Sequence, residues 1–162
     1  MKKWILILIS FLLLILDNSL MPFFSINGAY PSLLFIFSIA YSIITNRKEA
    51  VIIGVISGLL QDIYFSGNLG VNALANMLLC FLAAIIGENI YKDKKIIPTI
   101  SIAFIYMLKV FIIGLILRLT NKSLNIQIAL YTSIYSSIIM LLVYKYILLI
   151  CENDNKQKSR RR

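Results

Sequence analysis

Six apolar runs separated by short polar or basic breaks take up nearly the whole chain. They predict helices at about residues 4–22, 30–45, 49–65, 69–90, 96–119 and 126–150, followed by a basic tail at 151–162. The breaks are DNSLMPFF after Leu16, NRKE at 46–49, the turn Ser66-Gly67-Asn68, YKDKK at 91–95, and the stretch 118–125. Pro31 suits a first helical turn, where a missing N–H costs nothing. Lys2 and Lys3 before the apolar stretch ending at Leu16 imitate a secretory signal. No small-x-small cleavage pattern follows, so this run is read as an uncleaved helix continuing through Asp17 toward Pro22. On that reading Asp17 sits on a protein-facing side near the outer surface.

The third run, within GVISGLLQDIYFSGNLG at 54–70, places a carboxylate inside apolar and small residues. Gly54, Gly58 and Asp62 are spaced by four and share one helix face. Two glycines below a carboxylate form a groove that a second helix can enter closely, including a partner's single transmembrane helix. An intramembrane acid also needs a partner, a cavity or a proton. On the fourth run Asn72, Asn76, Ala83 and Gly87 share a face, with Cys80 at its edge, a stripe suited first to helix packing and second to a substrate cavity.

Lys109 and Asp62 each lie about 13 residues, roughly 20 Å, from the same end of their helices, which makes them level. Two readings stay open: an Asp62–Lys109 ion pair, or a snorkelling Lys109 beside a protonated or hydrated Asp62. Lys145 and Glu88 are level near the opposite face, where snorkelling is easy, and Arg118 reads as an anchor.

Composition decides the class. Hydrophobic residues make up 60% and charged residues 14%, with mean hydropathy +0.88, where a soluble domain carries roughly 25% charged residues. Six spans use about 120 residues, which leaves no room for a soluble domain among 162. The net charge of +9 would raise nucleic acid in a soluble protein. Here the basic residues sit at segment ends: alternate breaks, counting both chain ends, hold 2, 2, 3 and 5, and the opposite ones 0, 0 and 2. Both termini are therefore expected in the cytoplasm, and nucleic acid is not an expected partner. The tail KQKSRRR reads as a topology anchor, or as a contact for anionic lipid or an acidic cytoplasmic partner. Cys80 and Cys151 form neither a redox motif nor a metal pair. With no histidine, no recognisable pair of carboxylates and no phosphate-binding glycine loop, no enzyme, cofactor or metal is expected.

The hydropathy plan, together with Gly54, Gly58, Leu59, Gln61, Asp62, Leu69, Gly70 and Ala73, resembles the MreD family of rod shape-determining membrane proteins. The family's Pro-Asp-Leu start to the second helix appears here as Pro31-Ser32-Leu33, without the acid. The resemblance implies an all-α, six-helix membrane bundle similar to the substrate-binding subunits of energy-coupling-factor transporters. It also implies partners in cell elongation: an MreC-like bitopic protein, an MreB-like filament protein, and the peptidoglycan polymerase and transpeptidase. The leading expectation is thus a non-enzymatic scaffold in the bacterial cytoplasmic membrane. A vitamin- or metabolite-capturing transporter subunit is the alternative. A third reading, a carrier of lipid-linked intermediates, has only Asp62 and Lys109 to line a path.

Overall fold

A computed structural model describes residues 3–25, 29–65, 70–89, 96–119 and 126–160. They form six α-helices, α1 (Lys3–Ser19), α2 (Leu33–Ile44), α3 (Arg47–Phe65), α4 (Val71–Glu88), α5 (Ile96–Leu119) and α6 (Ile126–Arg160), with one 3-10 turn at Met21–Phe24. The loops 66–69, 90–95 and 120–125 lie outside the described residues, as do the side chains of Arg118 and of the tail.

The helix that organises the bundle is the shortest. Every residue of α2 from Leu34 to Ile43 is buried. A helix that is apolar on all sides must be surrounded, and α2 touches each of the other five. Its two central polar residues do not disturb that packing, because Ser38 Oγ donates to Phe35 O at 2.8 Å and Ser42 Oγ to Ser38 O at 2.7 Å. At 12 residues α2 is only about 18 Å long. As a helix it falls short of a hydrocarbon layer of about 30 Å, so chain flanking it has to complete a pass at this point.

Glycines set the closest approaches. A Cβ on Gly58 would collide with the Ala73 and Asn72 backbone, and one on Gly54 would come within 2.7 Å of Asn76 O. The groove expected for a partner's helix is therefore filled by α4 of the same chain. Gly87 makes the equivalent contact for α2, since a Cβ there would overlap the Ile43 carbonyl. At this same end Arg47 clasps Glu88 with Nε 3.0 Å from Oε1, and Tyr41 donates to Glu49 at 2.8 Å. Lys145 is exposed.

Several boundaries differ from the sequence reading. The first helix stops at Ser19 because Pro22 falls in the 3-10 turn that follows. The second starts at Leu33, with Ser32 as its N-cap and Oγ 3.2 Å from Phe35 N. The last runs ten residues past Ile150, through most of the predicted tail, because neither glycine nor proline occurs after Ile126 to stop it.

Among the described residues two helices hold an apolar stretch long enough to span a bilayer, Val71–Glu88 and Leu130–Leu149. Others fall short for identifiable reasons: α2 is truncated, and α3 carries Arg47, Lys48, Glu49 and Asp62. The outward faces are nevertheless apolar, as a lipid-facing surface is. Trp4, Leu8 and Phe11 of α1, Phe104 and Phe111 of α5, and Leu142 of α6 all point away from the core.

The glycine contacts yield a direct test. Gly58→Ala is expected to destabilise the bundle by about 1–3 kcal/mol in a reversible detergent-unfolding titration, because backbone must move to admit the methyl group. Leu59→Ala, on an exposed position of the same turn, should cost about 0.5 kcal/mol or less. Equal losses would rule out a close helix approach at Gly58.

Candidate functional site

Two half-buried helix starts meet at one end of the bundle, and each presents N–H groups that lack intrahelical partners. For α4 the missing acceptor is Asp62. Its carboxylate, 0% exposed, accepts from Gly70 N, Asn72 N and Ala73 N, each at 2.9 Å, and from Asn72 Nδ2 at 3.1 Å. Gly70 turns the chain into this cap at φ +100. A Cβ there would meet open space, so glycine serves for its left-handed backbone and not for room.

For α2 the acceptor is Asp17 of α1. Its carboxylate takes Leu33 N at 2.6 Å, Leu34 N at 3.1 Å and Ser32 Oγ at 2.8 Å. The same device thus appears twice: the end of one helix supplies the anion that closes the start of the next.

Gln61 joins the two caps. Its Nε2 donates to Ser32 Oγ at 2.9 Å, while its Oε1 accepts from Asn76 Nδ2 and from Lys109 Nζ, both at 3.0 Å. Lys109 also lies 3.9 Å over the Phe35 ring, which is packed edge-on by Tyr106 at 5.0 Å. The Asp62–Lys109 ion pair does not form: Asp62 is committed to the start of α4, and the ammonium goes to Gln61. Snorkelling does not occur either, since Lys109 is 8% exposed. Asn76 Nδ2 lies 3.4 Å from Ser57 Oγ, and its Oδ1, fully buried, has no partner.

Of the sequence-predicted residues, Asp62, Asn72, Asn76 and Lys109 converge on this end, while Gly54 and Gly58 supply the close α3–α4 packing beneath it. Sequence reasoning gave no role to Gln61, Ser32 or Phe35 and left Asp17 without a partner. One available signal was Ser32, a cap residue directly after Pro31 and before an apolar run. Chemically the cluster spends its donors and acceptors on one another. Among the described residues no three of His, Cys, Asp and Glu stand together as a metal set. A groove of about 190 Å³ on α6, lined by Ala29, Tyr131, Ile134, Tyr135 and Ile138, is apolar and does not include the polar cluster.

Asp62→Ala strands three backbone N–H groups and is expected to cost about 2–5 kcal/mol in the same unfolding assay, with Asp62→Asn intermediate because its amide keeps one acceptor. A loss below about 1 kcal/mol for the alanine variant would exclude the capping role.

Compared with known proteins, the chain matches no curated protein and no solved structure. A family model does match, that of the rod shape-determining protein MreD, and it covers residues 1–153, which include all six helices up to the overhang of α6. A match over nearly the full length, on a bundle whose outward faces are apolar, means that this chain belongs to the MreD family of rod shape-determining membrane proteins.

Proposed function

We propose that the protein is an integral membrane scaffold of the bacterial cell-elongation machinery. It sits in the cytoplasmic membrane with six passes and both termini on the cytoplasmic side. There it organises lateral peptidoglycan synthesis together with an MreC-like bitopic protein, an MreB-like filament protein and the wall polymerase and transpeptidase. The basic tail meets anionic lipid at the inner leaflet. Family membership supports the shape-determining role.

The observation that favours a scaffold over a capture subunit is the self-closure of the starts of α2 and α4. A protein of this plan that bound an anionic metabolite would leave such N–H groups for its ligand. In this chain Asp17 and Asp62 occupy them. Partner contact then falls on the outward apolar faces, that of α1 among them. Trp4, Leu8, Phe11 and Ile15 are all exposed, and only Leu6, Ser10, Leu14 and Asp17 of that helix are buried.

The test is a mild-detergent pull-down of tagged protein from its own host, with proteins and small molecules both identified. Wall-synthesis proteins should co-purify with the wild type, and depletion of the protein should round the cells. Replacing Leu8 and Phe11 together by alanine should reduce partner recovery severalfold while leaving the unfolding midpoint within the range of other exposed-site variants. An energising ATPase module or a retained metabolite, without wall proteins, would overturn the scaffold reading.

A further inference from the structure

The backbones of α1 and α5 do not approach each other closely. Yet a chain of hydrogen bonds joins them: Asp17 on α1, Ser32 at the start of α2, Gln61 on α3, and Lys109 on α5. We infer that this chain is a polarised relay through which the position of the Lys109 ammonium controls how firmly α1 is seated.

Its direction follows from donor and acceptor chemistry alone. A carboxylate only accepts, so the Ser32 hydroxyl must give its proton to Asp17. The Ser32 lone pairs are then left for Phe35 N and Gln61 Nε2. With its NH₂ spent on Ser32, Gln61 turns its carbonyl toward Lys109 and Asn76. Every dipole in the series runs the same way, from the ammonium to the carboxylate. Flipping the Gln61 amide would turn its NH₂ toward the Lys109 and Asn76 donors and its carbonyl toward a Ser32 oxygen whose proton goes to Asp17, so withdrawal of the cation removes the charged one of the two donors that hold the amide in register.

α1 is the element that can respond. It packs on α2 and α3 through a narrow strip, Leu6, Ser10, Leu14 and Asp17, and leaves Leu8 67% and Ile15 52% exposed. Ser10 and Asn18 bond back to their own helix, to Leu6 O and Leu14 O. Among the described residues Asp17 is therefore the α1 side chain with hydrogen bonds to another helix. Asp62, the other acid nearby, is committed to α4 and does not compete for the ammonium. A movement of α5 that draws Lys109 off Gln61 thus loosens the strap formed by α1, at the face proposed above for partner contact. The inference rests on that reading only for its use, because the relay exists whichever partner binds.

Two measurements on the full chain in lipid nanodiscs or detergent test it. In a double-mutant cycle, Asp17→Asn and Lys109→Met should couple by about tenfold in the unfolding equilibrium constant, and the coupling should fall below about twofold when the cycle is repeated on Gln61→Met. Coupling that survives Gln61→Met would mean direct through-space attraction and would overturn the relay. The second measurement needs no unfolding. Spin labels at the exposed positions Leu12 and Leu59 report the α1–α3 distance, which should broaden in Lys109→Met and in Ser32→Ala but stay narrow in Lys109→Arg. An unchanged distribution in Lys109→Met would likewise refute the inference, whatever the pull-down shows about wall proteins.

Discussion

A backbone N–H buried away from water must find an acceptor, and in this bundle that requirement falls hardest on the starts of α2 and α4. Each start leaves orphan donors at half-buried positions, at up to about 1–3 kcal/mol apiece if unmet. Both are met by a carboxylate from the preceding helix. The reverse requirement is met at the same time, because a buried carboxylate is tolerable only when its oxygens are fully used. Among the described residues Asp17 takes hydrogen bonds from Leu33, Leu34 and Ser32, and Asp62 from Gly70, Asn72 and Ala73. Two costs that would each unfold the bundle cancel in pairs.

The rest of the architecture follows from where those pairs must sit. For Asp62 to reach Gly70, Asn72 and Ala73, α3 and α4 must run side by side at backbone distance, and Gly58 against Ala73 is what allows it. For Asp17 to reach Leu33 and Leu34, α1 must lie along α2, although it has few other contacts there. Central α2 can then be short and wholly buried, because its start is closed by Asp17 and its far end is fitted against Gly87. The exposed Arg47–Glu88 pair at that far end is screened by solvent and adds little to stability.

Much of this was legible in the sequence, and what was missed has a common cause. Apolar run length gives helices directly, and the four-residue spacing of Gly54, Gly58 and Asp62 correctly put them on one face. Helical arithmetic gives an expected depth for Asp62 and Lys109; it does not give the neighbour across the bundle. Gln61, one residue before Asp62 and about 100° around the helix, faces Lys109 instead. The same blindness hid Asp17, whose partners lie 15 to 17 residues on, across a loop. The groove of Gly54 and Gly58 was read for its shape, but sequence could not say that α4 fills it.

These arrangements also bear on what kind of work such a bundle does. A capture protein must keep an unsatisfied polar surface ready for its ligand and accept the cost while empty. This chain keeps very little: among the polar side chains of the cluster, Asn76 Oδ1 is the buried atom without a partner. Its stored binding capacity lies in apolar surface, which in lipid offers no hydrophobic drive and holds partners by shape and close packing. Such contacts are individually weak and depend on helices keeping their places. A hydrogen-bonded polar interior beneath an apolar exterior suits the scaffold role proposed above, and the seating of α1 is where the two regions meet.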